Sequence, residues 1–308
     1  MESIITAFIV YIAIFLFGLI LLKTGIQQLS INKMKNWLMQ HTKNPLEGFL
    51  IGIVITAILQ SSSTTIVLTV SLTAAGLLSF QNTIAIILGA NVGTTVTAEI
   101  MSFSSEWLMW GCLFSGFILL FIHKQAIFSL GCILFGLGTI FTALYGFESL
   151  VDPIQKTPYL EEAITNISES SGYSLLFGTI VTGIIQSSSA FTGLIMSFMN
   201  EYLITLPAAI IMILGANIGT CFTAILASFG STKEAKWTAY AHVWINVIGV
   251  VLFLPIISWF SDFVIQLTPI PGRQLAHASV IFNLLVSLLF LPFIKPFAVF
   301  VRWTSRRV

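Results

Sequence analysis

The tetrapeptide Gln60-Ser61-Ser62-Ser63 returns as Gln186-Ser187-Ser188-Ser189, each time inside a long apolar run. The surrounding chain of 308 residues is 56% hydrophobic and only 8% charged, with a mean hydropathy of +0.98. This composition excludes an ordinary soluble domain and indicates a polytopic membrane protein. Because a bilayer interior offers polar side chains no partners, the duplicated tetrapeptide predicts a functional site that is buried in protein or lined by water.

Several classes of function are disfavoured by the same sequence. A net charge of +1, without a basic arm, argues against a nucleic-acid partner. The chain has no phosphate-cradling loop of the ATPase type, and we expect it not to be an enzyme. The three cysteines have neither metal-site nor disulfide spacing, so no transition metal and no organic cofactor is expected.

The length of the first polar-tipped segment indicates how it lies in the membrane. Leu46 to Leu78 is about 33 residues, too long for one crossing of about 20 residues and too short for two. A re-entrant hairpin over 46–78, with QSSSTT at its tip, fits this length. Crossings are then predicted at 84–103, interrupted at Gly89–Thr94, and at 108–122.

A second copy of this plan follows at a constant offset of 126 residues, which pairs Gln60 with Gln186. The same offset also matches glycines, threonines and an asparagine without a gap: Gly52 with Gly178, Thr56 with Thr182, Gly89 with Gly215, Asn91 with Asn217, Gly93 with Gly219, Thr94 with Thr220 and Thr97 with Thr223. We interpret this agreement as an internal duplication.

Crossing counts and charge then predict the topology. Three crossings and one hairpin per repeat place the repeats in opposite orientations, over 1–124 and 125–258, with the second hairpin at 173–200. A last helix, about 275–293, and a basic tail fill 259–308. With the amino terminus outside and the carboxyl terminus inside, every Lys and Arg except Lys156 and Arg273 lies inside. Treating each QSSS segment as one crossing scores equally well, so segment length decides for the hairpin.

The hairpin tips suit an anion. A helix that begins at membrane depth presents unpaired N–H groups and a partial positive charge to whatever precedes it. Hydroxyls and amides add neutral donors there, and they make up the candidate oxyanion site: Gln60, Ser61, Ser62, Ser63, Thr64, Gln186, Ser187, Ser188 and Ser189.

The duplicated Gly-Ala-Asn-[Val/Ile]-Gly-Thr stretches suit a cation. If a membrane helix unwinds there, its carbonyls and neighbouring side chains offer the hard neutral oxygens that sodium prefers. The candidate ligands are Asn91, Thr94, Thr97, Asn217, Thr220 and Thr223. The alternative is purely structural, since Ser and Thr also bond to their own helix and Gly allows close helix packing.

Duplicated QSSS, each followed by a G-A-N-[VI]-G-T stretch, resembles the type II sodium-dependent phosphate cotransporter family. The resemblance implies sodium-coupled transport of inorganic phosphate by alternating access, with Gln60, Ser62, Gln186 and Ser188 contacting sodium as well as substrate. A family-type A-H-x-x-[FI]-N signature is present around His242 and Asn246, and partly around His277 and Asn283. The helix at 107–122 lacks it. Both histidines are expected to be hydrogen-bonded structural residues, with a role in proton or phosphate handling as the alternative.

The predicted function is therefore sodium–phosphate symport by a multi-pass protein of the cell membrane. Its predicted partners are inorganic phosphate, sodium as the coupling ion, and the lipid bilayer, and a homo-oligomer stays open. Alternatives are symport of sulfate or a carboxylate, phosphate export, or a channel or scaffold. Glu99 has no acidic counterpart in the second repeat, where Ile225 stands, and is expected to extend its carboxylate towards the interface.

Overall fold

A computed structural model of the protein describes residues 2–40 and 44–305, and for residues 30–40 it describes the backbone alone. The chain is 87% helical, and the described residues include no β-strand. Within them, six helices are long and apolar enough to cross a membrane. The prediction of an all-helical polytopic membrane protein is therefore confirmed. The last basic residues of the tail, 306–307, lie outside the described residues.

Sixteen α-helices make up the described chain, and two 3-10 turns extend α13 and α15. Their bounds are α1 Glu2–Gln40, α2 Pro45–Leu59, α3 Ser62–Ala74, α4 Phe80–Ser102, α5 Glu106–Leu120, α6 Gln125–Glu148, α7 Val151–Gln155, α8 Pro158–Glu169, α9 Ser171–Ile185, α10 Ser188–Asn200, α11 Leu206–Gly219, α12 Cys221–Ser228, α13 Lys233–Phe253, α14 Ile257–Ile265, α15 Pro271–Phe290 and α16 Ile294–Thr304.

The two halves of the chain share the same succession of helices. A shift of 126 residues carries the bounds of α2 and α3 onto those of α9 and α10, and the bounds of α4 onto the start of α11 and the end of α12. Identical local sequence at the QSSS motifs thus produces identical helix ends. This agreement supports the duplication that the sequence predicts.

The predicted unwinding of the first Gly-Ala-Asn stretch is wrong, because α4 is continuous from Phe80 to Ser102. Its glycines serve close packing instead. A Cβ on Gly93 would lie only 2.6 Å from the carbonyl oxygen of Ile53 on α2. In the second copy a Cβ on Gly219 would lie 2.5 Å from the carbonyl oxygen of Thr179 on α9. Only small residues allow such backbone approach.

The second copy departs from a regular helix at a single position. Thr220 separates α11 from α12, and its φ of −67° and ψ of −18° remain in the right-handed helical region. A residue in this conformation does not free a set of carbonyls for a cation. Neither Gly-Ala-Asn stretch is therefore unwound in the described structure, and the glycines follow the close-packing alternative.

The helices surround a buried centre formed by α4 and α11. About two-thirds of the most apolar stretch is buried in α4 and in the α11–α12 pair, against 17% for α1. In that centre α2 packs on α4 and α9 packs on α11, while α1, α5 and α6 associate beside them. The later helices close the centre from two sides, because α13 packs on α3 and α4 whereas α15 packs on α4, α10 and α11.

Helix length separates two groups of elements. The 15 residues of α2, of α5 and of α9 extend about 22 Å, less than the roughly 30 Å of a hydrocarbon core. The sequence predicted a crossing at 108–122, but α5 is shorter than one crossing. Six long helices are observed within the described residues, against seven predicted crossings.

Candidate functional site

Both QSSS motifs form the same tight reversal between two short helices. Gln60 ends α2 and Gln186 ends α9 in the left-handed region, at φ values of 50° and 59°. The next residue, Ser61 or Ser187, is extended, and its hydroxyl accepts the backbone N–H three positions on at 3.2 Å. A non-glycine residue in the left-handed region costs about 1 kcal/mol, which marks both turns as strained.

The two glutamine side chains differ although their backbones match. Gln60 is 3% exposed, and its Oε1 accepts a 2.7 Å hydrogen bond from the hydroxyl of Thr97 on α4. Gln186 is exposed. The amide nitrogens of both glutamines donate to the carbonyl three positions back on their own helix, that of Gln60 to Ala57 and that of Gln186 to Gly183, so the difference lies at the Oε1 contact. Thr223, the counterpart of Thr97, donates instead to the carbonyl of Thr220. The first tip is closed onto α4, while the second is open.

A small polar cavity lies where the second tip meets α4, α11 and α15. Its volume is about 20 Å³, room for about one water-sized particle. Among the described residues that line it, none is charged. The polar lining residues are Asn91, Thr94, Thr95, Ser188, Ser189, Thr192, Asn217, Ser279 and Asn283.

Two of the amides beside this cavity each donate one N–H to a protein acceptor. Asn91 Nδ2 donates to Asn246 Oδ1 at 3.1 Å, and Asn283 Nδ2 donates to the carbonyl of Ser279 at 2.8 Å. Asn246 in turn donates to the carbonyl of His242 at 2.9 Å and contacts Cys221 Sγ at 3.3 Å. Asn91 and Asn283 each retain a carbonyl oxygen and one further N–H for a ligand.

Glu99 and His277 form a pair one turn beyond the cavity. Glu99 Oε1 and His277 Nδ1 are 2.8 Å apart, with side chains 26% and 33% exposed. Glu99 follows Ala98 on α4 and His277 precedes Ser279 on α15, so each is close in sequence to a residue that lines the cavity. The expectation that Glu99 extends towards the interface is replaced by a contact that joins two helices of the site.

His242 is the polar residue that the observed contacts leave unexplained. Its side chain is 1% exposed, and neither ring nitrogen has a hydrogen-bond partner in the described part of the chain. The prediction of a hydrogen-bonded structural histidine is thus wrong for His242. For His277 the Glu99 contact supplies the hydrogen bond.

The structure brings together some of the predicted ligands and separates others. Ser188, Ser189, Asn91, Thr94, Asn217 and Asn283 line one cavity. Gln60 and Thr97 bond to each other away from that lining, while Ser62 is buried and Thr64 is exposed. Thr220 and Thr223 bond to carbonyls of their own helical turn, as the structural alternative foresees.

Three polar lining residues were missed: Thr95, Thr192 and Ser279. Each lies on the same helix face as a predicted ligand, because residues three and four apart on a helix are neighbours. Ser279 precedes Asn283 by four positions, and Thr192 follows Ser188 by four. That spacing could have identified them.

A larger groove of about 560 Å³ opens beside the turn between α5 and α6, near Gln28 and His123. It lies away from both tips, and most of its surface is apolar. We therefore place the candidate site at the small polar cavity.

This helical membrane protein has two copies of a polar helix-breaking motif, and residues of both repeats line one small polar cavity. These features are typical of proteins that transport small solutes. Comparison with known protein families identifies the family within this class. The Na+/Pi-cotransporter family model matches residues 14–149 and again residues 144–268. The chain belongs to this family, which is a family of transporters, and the resemblance seen in the sequence is confirmed.

Individual relatives agree with this assignment. The uncharacterized protein YqeW of Bacillus subtilis (strain 168) is 40% identical over 274 residues, 89% of each chain. YjbB of Escherichia coli (strain K12), whose name proposes inorganic phosphate export, is 27% identical over 258 residues, 83% of this chain and 48% of YjbB. This chain therefore spans about half the length of YjbB.

Shorter matches extend to animal proteins. Sodium-dependent phosphate transport protein 2B of Bos taurus is 41% identical over 91 residues, 28% of this chain and 13% of that protein. No solved structure matched the chain.

Proposed function

We propose that this protein is a secondary active transporter that carries inorganic phosphate together with sodium, through a site between the two QSSS tips. The observation that carries the proposal is the cavity itself, where Asn91 of the first repeat meets Ser188, Ser189 and Asn217 of the second. Membership of the Na+/Pi-cotransporter family supports the choice of substrates.

Sodium fits the cavity by size and by chemistry. A space of about 20 Å³ is comparable to one water molecule, so a single dehydrated ion fits and a phosphate does not. One N–H of Asn91 and one N–H of Asn283 are engaged with protein acceptors, and the carbonyl oxygens of both amides are available to a cation. Neutral hydroxyl and carbonyl oxygens are ligands typical of hard cations.

Phosphate requires the tips to move. The N-terminal ends of α3 and α10 offer backbone N–H groups and serine hydroxyls, which suit an oxyanion. With Gln60 closed onto Thr97 and Gln186 exposed, the two copies of one motif adopt two side-chain states. We attribute these states to alternating access, in which the repeats are inverted, the α2–α3 and α9–α10 pairs are re-entrant hairpins, and each tip opens in turn.

The setting of the proposal is the plasma membrane, with the amino terminus outside and the carboxyl terminus inside. Each negative charge that enters a cell against 100 mV of inside-negative potential costs about 2.3 kcal/mol. Cotransported sodium offsets that cost and also moves down its own gradient. The relatives named for phosphate export and for sodium-dependent transport leave both directions open, because a symporter follows the sum of its gradients.

The test is uptake of radiolabelled phosphate by liposomes that contain the purified protein. Uptake is expected with an inward sodium gradient and not with an equal potassium gradient. Unlabelled phosphate should compete more strongly than sulfate or a small carboxylate. Uptake indifferent to sodium would contradict the coupling and favour a channel, whereas stronger competition by sulfate would change the substrate.

A further inference from the structure

Two helix segments occupy equivalent places against the two tips. Ala241–Asn246 on α13 and Ala278–Asn283 on α15 agree at alanine, valine and the final asparagine, with His242 standing where Ser279 stands. Their neighbours correspond as well: α13 packs on α3, α4 and α12, and α15 packs on the copies of these three, α10, α11 and the end of α4. By sequence offset α5 is the copy of α13, but α5 packs on α6 instead.

The duplication therefore predicts a second site, formed by the residues that are equivalent to those lining the small polar cavity. The lining residues have equivalents at the corresponding positions of the other repeat. Ser188 and Ser189 correspond to Ser62 and Ser63, and Thr95 corresponds to Cys221. The Ser279–Asn283 pair on α15 corresponds to the His242–Asn246 pair on α13. Three contacts show that part of this second set is assembled: Asn91 to Asn246 at 3.1 Å, Asn246 to Cys221 at 3.3 Å, and Cys221 Sγ to the carbonyl of His242 at 3.7 Å.

The position of the His242 side chain follows from its neighbours on α13. Thr238 contacts Thr83 at 3.1 Å, and Asn246 contacts Asn91. His242 lies one turn from each on the same face, so it is directed at α4 near Ile87. Ile87 is the counterpart of Ile213, which lines the observed cavity. The histidine therefore faces the place that the duplication assigns to it.

A buried imidazole without partners is unfavourable in this place. Leaving a buried polar group unsatisfied costs about 1–3 kcal/mol, and both nitrogens of His242 lack a partner among the described residues. A ligand that bonds to the ring in another state of the protein would remove that cost.

We propose that His242 binds the transported oxyanion, in a second site formed with Ser62 and Ser63 when the first tip opens. The inference rests on the proposed function and assigns its anion to a particular residue. One ring nitrogen donates N–H to a phosphate oxygen, and the other accepts the O–H of a protonated phosphate oxygen. Sodium prefers oxygen ligands, so the observed cavity, which contains Ser279, suits the cation. The second site, which contains His242, suits the anion.

The test compares two variants of the purified full chain with wild type. His242→Phe keeps the ring volume and removes both nitrogens, and His242→Asn keeps a polar atom near Nδ1 and removes the Nε2 position. His123→Phe, at the exposed turn between α5 and α6, is the matched control. Inorganic phosphate is the probe, in the presence of sodium. The readouts are the phosphate-induced rise in melting temperature, the KM for phosphate, and the half-saturating sodium concentration for uptake.

Both His242 variants should lose the phosphate-induced rise and raise the KM for phosphate at least about tenfold, the equivalent of losing one hydrogen bond of about 1.4 kcal/mol. The rise in KM should be larger for His242→Phe, which loses both nitrogens. The half-saturating sodium concentration should stay within about twofold of wild type, and His123→Phe should match wild type throughout. Wild-type phosphate responses in the His242 variants would overturn the inference while the proposed function stands. A wild-type protein without any phosphate response would overturn both. If His242→Phe is not monodisperse, His242→Asn decides alone.

Discussion

Gln60 Oε1 accepts a hydrogen bond of 2.7 Å from the hydroxyl of Thr97, and this bond ties the first QSSS tip to α4. Gln186 and Thr223 stand at the same two places in the second repeat and do not make the bond. Identical residues on matching backbones thus adopt two arrangements. If the repeats exchange arrangements during transport, the Gln60–Thr97 bond holds one of the two end states.

Replacing Thr97 by valine should weaken the closed arrangement of the first tip. Thr97→Val keeps the side-chain shape but leaves the buried Oε1 of Gln60 without its donor, at a cost of about 1–3 kcal/mol. We expect a lower melting temperature of the purified protein and a changed rate of sodium-dependent phosphate uptake. Both are measured on the same preparation.

Thr223→Val is the matched control for that variant. Thr223 donates only to Thr220 within its own helical turn, so its loss should change the melting temperature less than the loss of Thr97 does. Equal falls in melting temperature for Thr97→Val and Thr223→Val would contradict the special role of the Gln60–Thr97 bond.

The glycines of α4 should be essential for packing. A methyl group on Gly93 would approach the carbonyl of Ile53 to 2.6 Å and Thr56 Cβ to 2.8 Å, so Gly93→Ala must separate α2 from α4. We expect a large fall in melting temperature or loss of monodisperse protein, as measured by size-exclusion chromatography and thermal unfolding.

Gly111→Ala on α5 provides the comparison, because a methyl group there meets no atom within 4 Å in the described structure. That substitution should be neutral or stabilising by up to about 1 kcal/mol, since alanine is the better helix former. Tolerance of Gly93→Ala together with damage from Gly111→Ala would contradict the packing account.

The tip serines should contribute to transport rather than to folding. Ser188 lines the cavity and Ser62 is its buried counterpart. Ser62→Ala and Ser188→Ala should each lower sodium-dependent phosphate uptake severalfold while the melting temperature stays close to wild type. Ser115→Ala on α5, where the hydroxyl only bonds to its own helix, should leave uptake unchanged. Wild-type phosphate uptake by both Ser62→Ala and Ser188→Ala would show that these two hydroxyls do not contribute to the transport site.

The Glu99–His277 pair should contribute modestly to stability. Both side chains are partly exposed, and solvent-accessible pairs contribute about 0–1 kcal/mol. A double-mutant cycle with Glu99→Gln and His277→Ala, followed by thermal unfolding, should give a coupling energy in that range. A coupling well above it would indicate that the pair is desolvated in the membrane-embedded protein.

The sequence predicted the helical class, the duplication and the break at each QSSS motif, because apolar length and repeated letters bear directly on these features. It could not decide the role of Gly89 and Gly93, since glycine is used both where a helix unwinds and where two backbones touch. Only the positions of Phe49 and Ile53 on α2 settle that choice.

The site was predicted in part for a similar reason. Ser188, Asn91 and Asn217 are polar residues in apolar runs, and they do line one cavity. The different states of Gln60 and Gln186 could not be predicted from identical motifs. The contact of Glu99 with His277 joins residues 178 positions apart, beyond the reach of local patterns.

The most direct test of the central claim is whether sodium and phosphate drive each other across the membrane. Coupling between two ligands is reciprocal, so a phosphate gradient must move sodium if a sodium gradient moves phosphate. Liposomes containing the protein, with equal sodium on both sides, are given an inward phosphate gradient, and the uptake of radiolabelled sodium is measured. We predict sodium accumulation that an equal chloride gradient does not produce and that Ser188→Ala reduces. Phosphate entry without any net movement of sodium would contradict the account.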